Sequence, residues 1–174
     1  LIVYTNAGGA LDEFPRGDNN TLVHSIYINP EPPADLFTSL VTAPNQTFDG
    51  TTIDVSYHVS NLGLENTDRA NWTDTIWLTR DATRPNVTKG DVSLATLPHA
   101  GVLGNDPSII SPPVSYDVST QVTLPKHIAG QFYITAWSDS FDVVLKSTQD
   151  VNVNPDDPGQ LNNDNYKARP ITVL

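Results

Sequence analysis

The residues of this chain best suited to chemistry are oxygen donors. Asp139, Asp142, Asp156, Asp157, Asn162, Asn163 and Asp164 gather in one late stretch. Calcium takes roughly six to eight oxygens from carboxylates, carbonyls and water, so a loop with this inventory suits that ion. Its candidate ligands are Asp139, Asp142, Asn162, Asn163 and Asp164, although their spacing is not that of an EF-hand loop. The same residue types also make turns and keep strand ends solvated. In the Asn162-Asn163 pair, side chains bonding the backbone at the entry to a final strand serve a structural role equally well. A second acidic stretch, residues 81–91, offers a thinner set.

Four Asn-x-Thr sequons make Asn19, Asn45, Asn71 and Asn86 candidate glycosylation sites, all in expected loops or at strand ends. The histidines His24, His58, His99 and His127 are scattered singly, as surface or strand-face residues are, and not grouped as ligands are. There is no Gly-x-Ser-x-Gly elbow, no His-Glu-x-x-His, no phosphate loop and no Gly-x-Gly-x-x-Gly. No catalytic residue is nominated, and the chain is expected not to be an enzyme. Trp72, Trp77 and Trp137 suit an aromatic platform for sugars, but on alternating strands one or two belong in the core.

The elements that must position these groups are strands. In residues 52–59, Ile53, Val55, Tyr57 and Val59 alternate with Thr52, Asp54, Ser56 and His58, the period of a half-buried strand. Trp72, Ile76 and Leu78 share one phase of the next segment, with Trp77 opposite. Val114, Tyr116, Val118, Val122 and Leu124 mark a long strand, and Phe132, Ile134 and Ala136 another. Further strands are expected at residues 36–41, 92–97, 143–145 and 171–174. Turn clusters such as Pro44-Asn45, Asp49-Gly50, Asn61-Leu62-Gly63 and Pro112-Pro113 separate them. Seven to eight short strands so spaced predict an all-β, immunoglobulin-like antiparallel β-sandwich.

The chain also repeats itself. Leu1-Ile2-Val3-Tyr4-Thr5-Asn6 parallels Ile134-Thr135-Ala136-Trp137-Ser138-Asp139. After each comes an acidic loop, an Asn-Asn pair (Asn19-Asn20; Asn162-Asn163) and a closing strand, Ile26-Tyr27-Ile28 or Ile171-Thr172-Val173. Such self-similarity is the signature of a tandem array. The expected layout is residues 1–30 as the terminal strands of a preceding repeat or a donor-strand segment, 31–35 as a Pro-rich linker, and 36–174 as a complete sandwich. An isolated two-stranded unit is marginal in water, so Leu1, Ile2, Val3, Tyr4, Ile26, Tyr27 and Ile28 are the expected assembly residues.

Composition narrows the classes. A net charge of −11 with nine Lys and Arg argues against a nucleic-acid surface, which needs clustered cations. Cysteine is absent, so no disulfide staples the fold. No apolar run approaches the ~20 residues that span a bilayer. A start at Leu1 with no basic-then-apolar leader is expected of a processed or excised segment.

Several stretches together resemble the CARDB domain, the cell adhesion related domain found in bacteria. They are Ala34-Asp35-Leu36, Thr42-Ala43-Pro44, Thr52 through Gly63, Trp72-Thr73-Asp74-Thr75-Ile76-Trp77-Leu78-Thr79-Arg80-Asp81, and the late strand through Asp139 to Asn162-Asn163. Residues 1–30, with Asp12-Glu13 and Asp18-Asn19-Asn20, resemble the last third of the same module. The fuller copy departs where Lys146 falls near the place of Glu13 and where residues 148–160 lengthen the loop. The resemblance implies an immunoglobulin-like module of extracellular or cell-surface proteins, used in repeats for adhesion or as a stalk, without catalytic residues. The expected partners are copies of itself or adjacent repeats, head to tail, with glycans as a further class. No cofactor is required in that reading, and calcium is the one metal the acidic loop suits. An adhesin or a carbohydrate- or calcium-binding module of a larger surface protein is the alternative.

Overall fold

The computed structural model describes residues 1–12, 14, 18–26, 34–145 and 165–174. The chain divides into two compact units, Leu1–Glu31 and Pro32–Leu174. The first holds a hairpin of β1 (Ile2–Tyr4) and β2 (Thr21–Val23), paired antiparallel with Ile2 opposite Val23 and Tyr4 opposite Thr21. The closing strand is thus earlier than the expected Ile26-Tyr27-Ile28. Leu1 and His24 exchange the last main-chain bonds of the pair, Ile26 lies beyond them, and Tyr27 and Ile28 fall outside the described residues.

The second unit is an all-β sandwich with immunoglobulin-like strand order. Its strands are β3 (Leu36–Thr42), β4 (Gln46–Thr47), β5 (Thr52–Asn61), β6 (Asn71–Thr79), β7 (Val92–Ala100), β8 (Ser115–Thr123), β9 (Gly130–Trp137) and β10 (Tyr166–Val173). One sheet runs β4-β10-β9-β6-β7 and the other β3-β5-β8. Every pair is antiparallel except β10 with β4, which is parallel. That exception arises because the chain leaves one sheet after β3, turns at Pro44, where no amide hydrogen is available to continue a ladder, and joins the other sheet as β4.

Period-two alternation builds the core. Ile53, Val55, Tyr57 and Val59 of β5 turn inward and meet Trp72, Ile76 and Leu78 of β6, with Phe132, Ile134 and Ala136 of β9 and Ile171 and Val173 of β10. Each large side chain so buried contributes about 1.5–3 kcal/mol. The core closes without any covalent staple. Strand β3 ends irregularly, its register shifting between Ser39 and Thr42, with Leu40 at φ 50° turned out to solvent.

Residues 143–145 form no strand, contrary to their apolar run. Their amides are taken by carboxylates instead: Val143 and Val144 donate to Asp139, and Leu145 donates to Asp68 Oδ1 at 2.8 Å.

Candidate functional site

The feature with the most functional content is a strand–turn–strand that occurs twice. In the sandwich, β9 ends at Trp137 opposite Tyr166. Ser138 N then donates to Asn165 O at 2.8 Å, Asp142 N donates to Asp139 O at 2.9 Å, and Val144 N donates to Asp139 Oδ2 at 3.1 Å. In the hairpin, β1 ends at Tyr4 opposite Thr21. Thr5 N donates to Asn20 O at 2.9 Å, Gly9 N to Asn6 O at 2.9 Å, and Leu11 N to Asn6 Oδ1 at 3.2 Å. One fixed offset carries Tyr4, Thr5, Asn6, Gly9 and Leu11 onto Trp137, Ser138, Asp139, Asp142 and Val144.

The backbone repeats too. Asn6 and Asp139 sit at φ 49° and 44°, and Gly9 and Asp142 at φ 63° and 55°. Left-handed backbone disfavours residues with a β-carbon; Asn and Asp tolerate it because a short polar side chain bonds locally, and glycine carries no penalty. Both copies obey that rule at both positions, and in both the Asn or Asp side chain then accepts an amide five residues on.

The structure also corrects the alignment of the return strand. Asn20 matches Asn165, not Asn163, so the pairing of Asn19-Asn20 with Asn162-Asn163 is two residues early. The role expected of an Asn at the entry to the final strand falls to Asn165, whose Nδ2 donates to Ser138 O at 2.8 Å.

What differs is burial. Every residue of β1 and β2 is exposed, whereas β9 and β10 supply Ile134, Ala136, Tyr166 and Ile171 to the interior. Leu11 is 68% exposed and its counterpart Val144 2%. Strand β9 has β6 on its far side and β10 has β4, while among the described residues β1 and β2 pair only with each other. Of the expected assembly residues, Leu1, Ile2, Val3, Tyr4 and Ile26 are all solvent-exposed apolar groups.

Beneath the sandwich turn lies a polar clasp. Asp74 of β6, 1% exposed, accepts Tyr57 Oη at 2.9 Å and Tyr116 Oη at 2.7 Å from the opposite sheet, and Asp139 N at 3.1 Å from the turn. Trp72 Nε1 donates to Tyr116 Oη at 3.2 Å, and His99 stacks on Trp72 with ring centroids 3.9 Å apart. Burial pushes the Asp74 carboxyl above the usual carboxylate range, against the lowering effect of its three donors. Burial, followed by the Asp74 charge, pushes both tyrosines up. Desolvation lowers His99. One carboxylate thus ties both sheets and the turn together. The one sequence signal that marks Asp74 is its place on the inward phase of Trp72, Ile76 and Leu78.

The other candidates disperse. Asp139 is buried and both its oxygens accept amides, from Val143 and Val144. Asp142 is exposed on the same turn, while Asn162, Asn163 and Asp164 lie outside the described residues, as do Asp156 and Asp157. Among the described residues no three His, Cys, Asp or Glu side chains group closely enough to hold a metal ion. In the stretch 81–91, Asp91 accepts Arg80 N and Asn86 N, both at 2.9 Å, and ties the loop to itself.

All four sequon asparagines are exposed. Asn45 Oδ1 accepts Arg169 Nη2 at 2.8 Å, and Asn86 caps a single 3-10 turn, Val87–Lys89, by accepting Thr88 N. The three tryptophans make no common platform: Trp72 is in the core, Trp77 Nε1 bonds Thr75 Oγ1, and Trp137 meets Tyr166 edge-on at 6.3 Å. Of the histidines, His58 Nδ1 lies 2.8 Å from Asp117 Oδ1. His127 sits at φ 62° with its amide on Asp49, and His24 is exposed in the hairpin.

No family model matches the chain, and no curated protein does. Among solved structures it is similar to the CARDB domain of a Pyrococcus furiosus protein in complex with di-metal ions, at 15% identity and a TM-score of 0.49, over 81% of this chain and 94% of that one. The solution structure of that domain gives 16% and 0.48, over 82% and 95%. A β-glucosidase from Listeria innocua in complex with gluconolactone gives 10% and 0.42, over 80% of this chain but 16% of its own.

Proposed function

We propose that this chain is a structural segment of an extracellular or cell-surface protein built from immunoglobulin-like modules in tandem, head to tail, as a stalk or filament. The observation that carries the proposal is the duplicated turn. Leu1–Glu31 holds the closing hairpin of one module, and Pro32–Leu174 is a whole one.

A covalent tandem fits better than strand donation into a second copy of the whole module. The positions a hairpin of this shape would take there are already held by β9 and β10. A hairpin matching β9 and β10 calls for neighbours matching β6 and β4, which a module of the same kind supplies. In this reading the chain does no chemistry, and the exposed sequons Asn19, Asn45, Asn71 and Asn86 are places where a glycan would be tolerated on the module surface.

Negative-stain imaging of the natural protein tests this. Linear rods with a beaded repeat the size of one sandwich are expected. Monodisperse single sandwiches would overturn it.

A further inference from the structure

Among the described residues the sandwich has four sheet edges, and three are blunted. Strand β4 has only two residues, β3 breaks register at its exposed, left-handed Leu40, and β7 carries Pro98 within the strand. These are the devices that keep edges from pairing with other chains. The fourth edge, β8, has none of them. Its nine residues hold continuous register with β5, from Ser115 opposite Ser60 to Thr123 opposite Thr52, and contain no Pro, Gly, Lys or Arg.

The direction of its main-chain groups follows from the bonds at its two ends. Val114 O accepts Asn61 N at 2.8 Å and Leu124 N donates to Thr51 O at 2.9 Å. Even-numbered residues therefore point their N–H and C=O at β5. Ser115, Asp117, Ser119, Gln121 and Thr123 point theirs outward, where among the described residues no strand receives them.

We propose that β8 pairs antiparallel with β8 of a second copy of this chain, about a two-fold axis at Ser119, joining two three-stranded sheets into one of six. The strand is self-complementary in that register. Ser119 faces the second copy's Ser119, Ser115 faces its Thr123, and Asp117 faces its Gln121. Each of these pairs exchanges both N–H···O bonds.

No like charges meet, and amide-to-carboxylate pairing already operates on this face, where Gln121 Nε2 donates to Asp54 Oδ1 at 2.9 Å. On the inner face Tyr116 meets the second copy's Val122 and Val118 its Thr120, covering two side chains, Tyr116 and Val118, that are now only half-buried. The contact is isologous and closes on itself. It is lateral and independent of the head-to-tail reading. With a net charge of −11 on each chain, pairing should tighten as salt screens the repulsion.

Sedimentation velocity of the full chain over rising concentration, at low and high salt, is expected to show a species of twice the chain mass. Ser119→Pro removes an amide that faces solvent in the monomer. It should abolish that species and leave the thermal midpoint unchanged.

The natural chain has no cysteine, so single substitutions report position cleanly. Opposing residues of a bonded pair lie about 5.5 Å apart at Cα, within disulfide reach. Ser119→Cys should therefore oxidise to a covalent dimer, whereas Ser115→Cys, facing a threonine, should not. A monomer at every concentration, a dimer that survives Ser119→Pro, or equal cross-linking at both positions would each overturn the proposal, the second by pointing to the exposed hairpin.

Discussion

The two hairpins share a backbone and differ in surroundings. Asn6 and Asp139 adopt the same left-handed turn and accept the amide five residues on, yet one turn is open to solvent and the other is sealed over Asp74. Turn geometry is therefore a local property, set by an Asn or Asp followed three residues later by a residue that tolerates positive φ. Burial is not local. It comes from β6 and β4, which among the described residues flank the second copy alone.

The comparison is broken most severely at Asp74. Asp74→Ala leaves the Tyr57 and Tyr116 hydroxyls and the Asp139 amide without their buried acceptor. A loss of about 3–5 kcal/mol in denaturant unfolding is expected, as when one partner of a buried polar set is removed.

Next comes a matched pair of truncations. Ile134→Ala should cost about 2–5 kcal/mol, whereas Leu1→Ala, at the equivalent place in the exposed hairpin, should change global stability by less than about 0.5 kcal/mol. Equal effects would mean that the hairpin strands are covered in solution.

Smaller again is the turn itself. Asp139→Ala removes the acceptor of two amides in the buried copy, at about 1–3 kcal/mol. Asn6→Ala should leave global unfolding unchanged and show only as faster hydrogen exchange at Leu11.

The mildest test is pH. Burial raises Asp74 in the folded chain, so the folded state holds that proton more tightly than the unfolded one. Its contribution to stability is present in acid and lost as pH rises through the raised value. His99, lowered by desolvation, acts in the opposite sense: its contribution is present above the ordinary histidine value and lost as pH falls through the lowered one. With Tyr57, Tyr116 and Trp72 as their neighbours, Asp74→Asn should flatten the first slope and His99→Gln the second, read by chemical denaturation across pH.

Much of the fold was legible because alternation is local. The phase of Ile53, Val55, Tyr57 and Val59, and that of Trp72, Ile76 and Leu78, named core residues directly. The repeat was legible as well, down to the Asn or Asp that ends each first strand.

What could not be seen depended on groups distant in the chain. Asp74 draws its donors from β5, β8 and the turn after β9. The apolar run at residues 143–145 looked like a strand because nothing local reveals that Asp139 and Asp68 hold its amides. The two-residue shift at Asn165 is not legible locally, because Asn162, Asn163 and Asn165 spell nearly the same signal. The short β4 was hidden because Pro44-Asn45 reads as a turn and its pairing is made with the far end of the chain.

That pairing of β4 with β10 has a mechanical consequence. Where load passes β3 and leaves at β10, the two strands are drawn by opposite ends, because they run in the same direction. Thr172 N on Asn45 O and Leu174 N on Thr47 O, both 2.9 Å, with Arg169 reaching across to Ala43 O and Asn45 Oδ1, are then stressed together in shear and not peeled apart one by one. A two-residue strand, the least conspicuous element of the sandwich, is placed where it would resist extension.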